Sequence, residues 1–161
     1  TRNPIEFHGT FPIPEAALDR FLVHVELDYP EAELEKELYQ GLGGAAQIDA
    51  LEPILSREAL LMLTSAVPSV HVSAEVAEYA YRVVAATREH PEIDLGVSPR
   101  AAVAWTNAGR ARALLDGRQY VLPDDLKALA TVVLGHRIAT SGGVKGSQRI
   151  AEVLEGAAVE L

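Results

Sequence analysis

Two arginines of this sequence occupy positions from which a guanidinium group can bind an anion. Arg100 follows Ser98 and Pro99, a capping residue and a proline suited to the first helical position, so we predict that it lies in the first turn of a helix. The backbone N–H groups of that turn carry partial positive charge, which disfavours another cation by about 0.3–1 kcal/mol. We therefore expect the Arg100 side chain either to extend into solvent or to contact an anion.

Arg20 is the second candidate. It ends a short predicted helical segment, Glu15 to Arg20, and follows directly after Asp19. An exposed ion pair with Asp19 or with another neighbour would stabilise the fold little, by about 0–1 kcal/mol. The residues around Arg20, taken alone, indicate an ordinary surface arginine.

Other motifs that carry chemistry are absent or lie in the wrong context. The five histidines form no H-x-x-x-H pair, and the sequence has no cysteine and no G-x-S-x-G nucleophile motif. Gly41–Ala46 formally satisfies the G-x-G-x-x-A pattern, but a charged helix rather than a strand precedes it. In Gly142–Ser147 the order G-K-[ST] of a phosphate loop is missing. We predict no metal site, and a loop and a turn at the two glycine segments.

Composition narrows the class of protein. The 161 residues carry a net charge of −9, which repels phosphate backbones and disfavours a nucleic-acid binder such as a winged helix. No apolar run approaches a membrane span, no secretory signal follows Thr1, and the lack of cysteine fits a reducing cytoplasm. A sequence that starts at Thr1 rather than at Met also indicates a piece of a longer protein. We expect a cytoplasmic protein without a nucleic-acid partner or a membrane span.

The elements that must position the two arginines differ along the chain. Residues 1–30 are rich in proline and glycine, and after the short helical segment they contain an extended run from Phe21 to Leu27 that has the pattern of a strand. A lone strand needs a sheet partner, and none of comparable quality follows. We therefore expect the sheet to lie upstream of Thr1.

From Glu31 onward the pattern is helical. Residues 31–40 form a charged helix, and serines in capping positions predict three further helix starts at Ser56, Ser73 and Ser98. The helix after Ser73 places apolar residues at a period close to 3.6, namely Val76, Tyr79, Ala80, Val83, Val84 and Thr87. The helix after Ser98 is rich in alanine and extends to about Leu115.

The last strong helix begins at Pro123, although Leu122 stands where a capping residue is preferred. It is predicted to end with His136 and Arg137, whose positive charge suits a helix C-terminus. Residues 139–161 form a tail with an amphipathic segment around Ile150, which predicts a final short helix.

Several stretches of the sequence resemble the MoxR family of AAA+ ATPases. Residues 1–21, read as T-R-N-P-I-E followed by G-T-F-P-I-P-E-A and L-D-R-F, are similar to the family pattern T-x-N-P-x-E, G-T-[YF]-P-[LI]-P-E-A-x-L-D-R-F. V-H-V-S at 70–73, A-T-R at 86–88, L-G-V-S-P-R-A at 95–101 and G-R-x-Y-V-x-P-D-D at 117–125 resemble the family's lid domain. The likeness is nearly continuous from Thr1 to Ile138, with departures at Arg2, where Gln is common, and at Leu122.

The resemblance implies a mainly α fold: a helical AAA+ lid bundle, preceded by a short remnant of the α/β P-loop core made of a loop, a short helix and one strand. Residues 1–30 would be the remnant, 31–138 the lid domain and 139–161 the tail. By the same likeness Asn3 matches the sensor 1 residue and Arg20 the arginine finger, both with catalytic roles. Arg100 matches the sensor 2 arginine, which contacts the nucleotide.

The resemblance also implies a function for the complete protein. It would be a hexameric ATPase that uses ATP and Mg²⁺ to remodel protein clients in a chaperone-like manner, with von Willebrand A-domain proteins among its partners. The family's phosphate loop and Asp-rich Mg²⁺ strand belong upstream of these motifs, so this chain alone is expected neither to bind ATP tightly nor to hydrolyse it. The alternative is a stand-alone acidic α-helical module for protein interaction.

Overall fold

A computed structural model of the chain describes residues 13–42 and 48–157. The chain divides into two compact units, one made of the residues up to His24 together with Val67–Leu161, and the other of Val25–Ala66. This division does not coincide with the predicted boundaries at residues 30 and 138. Asn3 and the rest of the first motif up to Pro12 lie outside the described residues.

The described chain is mainly helical, which confirms the predicted fold class. Its elements in order are α1 (Glu15–Leu18), α2 (Ala32–Tyr39), α3 (Arg57–Ala66), α4 (Ala74–Glu89), β1 (Ile93–Leu95), α5 (Pro99–Leu115), α6 (Pro123–Leu134), β2 (Ala139–Thr140) and α7 (Gly146–Gly156). Short 3₁₀ turns lie at Val67–Ser69, Gly135–Arg137 and Ser141–Gly143. The helix starts predicted at the three serines are all present.

The larger unit forms a bundle around the packed helices α5 and α6. Trp105 of α5 is completely buried, and its indole N–H donates to the Leu126 carbonyl of α6 at 2.8 Å. The two helices approach closely at Gly109, where an added Cβ would lie 2.6 Å from the Leu126 side chain. The predicted apolar face of α4 lines the same core, since all six of its residues are buried.

Two smaller contacts close this bundle. The strands β1 and β2 pair in antiparallel fashion and connect the loop before α5 to the segment after α6. Helix α7 buries Ile150 and Val153 in the same core, so the tail is an integral part of the bundle. The predicted tail helix is therefore present, but it begins earlier than its apolar residues indicated.

Two local predictions are wrong. The segment from Phe21 to Leu27 is exposed and contains no strand, because a strand requires a ladder of hydrogen bonds to a neighbour and the described residues provide none. Helix α6 ends at Leu134, and His136 and Arg137 lie in the following 3₁₀ turn. Arg137 points inward and is only 8% exposed, so it does not act as a solvated cation at the helix end.

The smaller unit contains the helices α2 and α3. Ser56 caps α3 by accepting a hydrogen bond from the Ala59 amide at 3.1 Å. Four consecutive residues of α3, Leu60 to Leu63, are exposed although they are apolar.

Candidate functional site

The first turn of α5 presents Arg100, as the sequence predicted. Ser98 caps the helix by accepting a hydrogen bond from the Ala101 amide at 3.1 Å, and Pro99 is the first helical residue. The Arg100 side chain is 69% exposed. Its guanidinium is therefore accessible to a ligand at the positive end of the helix dipole.

The end of α4 fixes the position of this helix start. The buried Thr87 hydroxyl accepts a hydrogen bond from the Val97 amide at 3.1 Å, and the Arg88 side chain donates to the Val97 carbonyl at 3.0 Å. Gly96 lies so close to α4 that a Cβ would stand 2.8–2.9 Å from atoms of Thr87 and Arg88. The A-T-R and L-G-V-S-P-R stretches thus form one structural unit that presents Arg100.

Asp19 lies against the same helix start. The Ser98 hydroxyl donates to its carboxylate, with distances of 3.2 Å to Oδ1 and 3.4 Å to Oδ2. The nearest guanidinium nitrogen of Arg100 is 3.9 Å from Asp19 Oδ2, a distance too long for a hydrogen bond. Sequence reasoning considered Asp19 only as a partner for nearby residues, whereas the structure places it beside Arg100.

Arg20 follows Asp19 in the exposed turn after α1. Its side chain makes no hydrogen bond or ion pair with any residue that the structure describes. The next residue is firmly held, because the Phe21 carbonyl accepts from Arg137 Nη2 at 2.6 Å and lies 3.0 Å from His136 Nε2. The structure therefore brings the segment of Arg20 and the helix of Arg100 together in one unit.

Arg137 and His136 are site residues that sequence reasoning missed. Together with Asp19 and Ser98 they line a cavity of about 310 Å³. Burial lowers the pKa of Arg137; the negative charge of Asp19 opposes this shift, and the positive charge of Arg100 adds to it. Within the described part of the chain, the buried Nη1 of Arg137 has no hydrogen-bond partner. The local sequence contains no signal for this role, because a cation soon after the apolar run of α6 suits a helix C-terminus equally well.

Known proteins share this architecture. Residues 85–155 match the family described as the AAA lid domain. Over 138 residues the chain is 41% identical to YeaC of Bacillus subtilis, with 86% of this chain and 43% of YeaC covered. It is 36% identical over 147 residues to the chaperone MoxR1 of Mycobacterium tuberculosis, with 86% and 38% covered. The chain belongs to the MoxR family of AAA+ proteins.

A solved structure supports the same assignment. A candidate ATPase from Cytophaga hutchinsonii superposes with a TM-score of 0.81 at 30% identity, and the match covers 96% of this chain and 51% of that one. The chain spans less than half the length of the two curated relatives named above.

A second arginine–aspartate cluster in this MoxR-family chain has a different environment. Arg118 donates to both carboxylate oxygens of Asp125, at 2.7 and 2.6 Å, and Asp125 is 3% exposed. Burial alone would raise the pKa of Asp125, but the hydrogen bonds from Arg118 and from the Leu122 amide, with the charge of Arg112, outweigh it and lower that pKa. The Asp125 side chain also accepts a hydrogen bond from the Leu122 amide at 2.8 Å, which is one half of a capping box although Leu122 has no side chain that could supply the other half.

Two further kinds of site were sought in the part of the chain that the structure describes. No group of three or more histidines or carboxylates there is arranged to hold a metal ion. None of the helices in residues 13–42 and 48–157 combines the length and the apolar character needed to cross a membrane.

Proposed function

We propose that this chain supplies two arginines to the ATP hydrolysis of a MoxR-type AAA+ ATPase. The observation that carries the proposal is the environment of Arg100. Its guanidinium is accessible at the start of a 17-residue helix, and the carboxylate of Asp19 lies 3.9 Å from it. A phosphate group would pair with this cation and would be favoured by the partial positive charge of the helix start. The segment of Arg20 packs at the same place, so both candidates can serve one nucleotide-dependent process.

The proposed roles follow from the needs of phosphoryl transfer. Negative charge on the γ-phosphate oxygens must be stabilised, and the attacking water must be aligned. Arg100 would contact the nucleotide of its own subunit, and Arg20 would reach the nucleotide of the neighbouring subunit. Asn3, with one donor and one acceptor group, would orient the water.

ATP and Mg²⁺ would be held mainly by parts of the complete protein outside this chain. Bound Mg²⁺ would neutralise charge on the phosphates. The residues of this chain would contribute the cation of Arg100 and a lid whose orientation changes with the nucleotide. We propose that a hexameric ring converts this motion into chaperone-like remodelling of protein clients, among them von Willebrand A-domain proteins. The name of the relative MoxR1 as a chaperone is consistent with such a role.

A second candidate function is an acidic helical module for protein interaction. The four exposed apolar residues of α3, Leu60 to Leu63, favour it, since such a run on a surface commonly marks a contact site. This function is compatible with the first, because a remodelling ATPase must also contact its clients.

Arg20→Ala in the complete protein tests the proposal. We expect turnover to fall by about 10³-fold or more while ATP affinity stays nearly unchanged, because a finger acts mainly on transition-state charge. Steady-state hydrolysis and equilibrium binding of an ATP analogue are the two measurements. Subunits with Arg20→Ala, mixed with subunits that lack the phosphate-loop lysine, should regain activity at the mixed interfaces.

Arg57→Ala is a suitable control, because Arg57 is an exposed arginine on α3 of the smaller unit, outside the proposed site. It should leave turnover within about twofold of the wild type. Normal hydrolysis by the Arg20→Ala protein, or no recovery in rings shown to contain both subunits, would contradict the finger role.

A further inference from the structure

Arg20 lies between two attachments to the bundle that differ in strength. On one side, the Phe21 carbonyl is bound by the buried Arg137 at 2.6 Å, and three residues later the His24 amide donates to the Val132 carbonyl of α6 at 2.8 Å. On the other side, Asp19 is attached to the start of α5 through Ser98. Both attachments are partly buried, but the first is shorter, at 2.6 Å against 3.2 Å, and is supported by the additional bond of His24.

Asp19 is not required to build the start of α5. Ser98 already caps the helix through the Ala101 amide, and Thr87 and Arg88 hold the preceding residue Val97 from α4. The Asp19 side chain is 22% exposed, and its contact with Arg100 is 3.9 Å long. Such a contact contributes little to stability. Its position beside Arg100 therefore calls for an explanation other than folding.

Of the groups near Asp19, Arg100 and Ser98 differ in the partners available to them. Arg100 can exchange the carboxylate for a phosphate, which carries more negative charge and can accept two hydrogen bonds from one guanidinium. Ser98 moves with α5, so any rotation of the helix start displaces the carboxylate bound to it. Arg20 directly follows Asp19, with about 3.8 Å between their Cα atoms, and cannot remain in place when Asp19 moves.

We propose that Asp19 is a positioning residue that couples the anion contact of Arg100 to the position of Arg20. Without nucleotide, Asp19 holds the Arg20 segment against the start of α5. When a phosphate binds Arg100, the Asp19 carboxylate no longer interacts with that guanidinium. The Arg20 segment then pivots about the fixed attachment at Phe21. This inference rests on the proposed function, in which Arg100 acts within its own subunit and Arg20 acts on the next one.

Asp19→Ala and Asp19→Asn in the complete protein test the coupling. For Asp19→Ala we expect kcat to fall by about 10- to 100-fold, because the finger is no longer placed accurately. ATP affinity should be unchanged or slightly tighter, because the carboxylate no longer competes with phosphate for Arg100. Asp19→Asn keeps an oxygen that can accept from Ser98, so it should recover part of kcat. A purely structural role would weaken affinity and turnover together.

Mixed rings separate coupling from a local defect. Asp19→Ala subunits have an intact phosphate loop. Subunits that lack the phosphate-loop lysine bind little nucleotide and retain Asp19, so their Arg20 stays in the held position, which in this proposal is the one that serves the neighbouring nucleotide. They should therefore restore hydrolysis at the mixed interfaces. Asp94→Ala is the matched control: Asp94 also accepts from a serine, Ser141, at 2.6 Å, but in the described chain it forms no hydrogen bond or ion pair with Arg20 or Arg100. Its kcat should stay within about twofold of the wild type.

Wild-type kcat in both Asp19 variants, or no recovery in rings that contain both subunits, would overturn the proposal. A loss of kcat in Asp94→Ala equal to that in Asp19→Ala would also overturn it, because the effect would then be unspecific. Arg20→Ala, measured in parallel, separates the two levels of inference. If it hydrolyses ATP normally, the finger role itself fails; if it is inactive while both Asp19 variants are normal, only the coupling fails.

Discussion

The two arginine–aspartate clusters of the larger unit contain the same chemical groups in opposite settings. Arg118 and Asp125 form a bidentate pair at 2.6–2.7 Å, and the carboxylate is buried. Arg100 and Asp19 approach only to 3.9 Å, and the guanidinium is largely exposed. The first pair fixes the turn before α6. The second leaves a cation available, and burial rather than residue type distinguishes the two roles.

The difference has an energetic basis. A buried carboxylate needs its partner, because an unpaired charge away from water is expensive. An exposed ion pair contributes little free energy to folding, so separating it costs little. Its members can therefore exchange partners during a functional cycle. Three predictions test this contrast through the stability of the chain.

Arg118→Ala should produce the largest loss of stability. It leaves the Asp125 carboxylate buried without its bidentate donor, and an unpaired buried charge is strongly destabilising. For a chain of this size the melting temperature should fall by about 6–12 °C. Thermal unfolding followed by circular dichroism measures the change.

Arg112→Ala is the control for that variant. Arg112 is 3.6 Å from the same carboxylate but is about half exposed, so its removal should cost about 0–1 kcal/mol. An equal loss of stability in both variants would show that the bidentate geometry of Arg118 does not stabilise the fold more than the single contact of Arg112.

Asp125→Asn should give a smaller loss that depends on pH. The pKa of Asp125 is lowered in the folded chain, so its ionised form stabilises the fold above the unfolded-state pKa of about 3.9. That contribution is lost as the pH falls through the folded-state pKa. We expect wild type to be more stable than the variant at pH 7, with the difference shrinking below about pH 4. Urea unfolding across this range would show it, and a difference independent of pH would argue against an ionised Asp125.

Arg100→Ala should have the smallest effect on stability. The isolated variant should stay within about 0.5 kcal/mol of the wild type, and any change should be towards higher stability, because a cation leaves the helix start. In the complete protein, ATP affinity should fall by about 10- to 100-fold. Arg100→Lys should recover only part of it, since lysine keeps the charge but lacks the planar fork. A large loss of stability in the isolated variant, together with normal ATP affinity in the complete protein, would show that Arg100 is a structural residue.

Much of the bundle could be predicted because its signals are local. The cap at Ser98 and the proline after it place Arg100 in the first turn, and the period of apolar residues after Ser73 identifies the buried face of α4. Both signals depend on residues within a few positions of one another, which is the range over which helix geometry acts.

The contacts that complete the site could not be predicted in this way. Asp19 meets Ser98 across 79 positions, and Phe21 meets Arg137 across 116. Nothing in the residues near Arg137 distinguishes a helix-terminal cation from one that turns inward to bind a distant carbonyl. The extended run after Arg20 was mistaken for a strand for the related reason that a strand is defined by its partner, which a local pattern does not contain.

The contact between α7 and the turn after α6 has a consequence for how such sequences can diverge. A Cβ on Gly146 would overlap the Gly135 carbonyl, and a Cβ on Gly135 would lie 2.8 Å from the backbone of Ser147. Neither glycine can gain a side chain while α7 keeps its place. A related sequence that replaces either glycine must therefore also move α7. We expect the two positions to change together during evolution, although ten residues separate them.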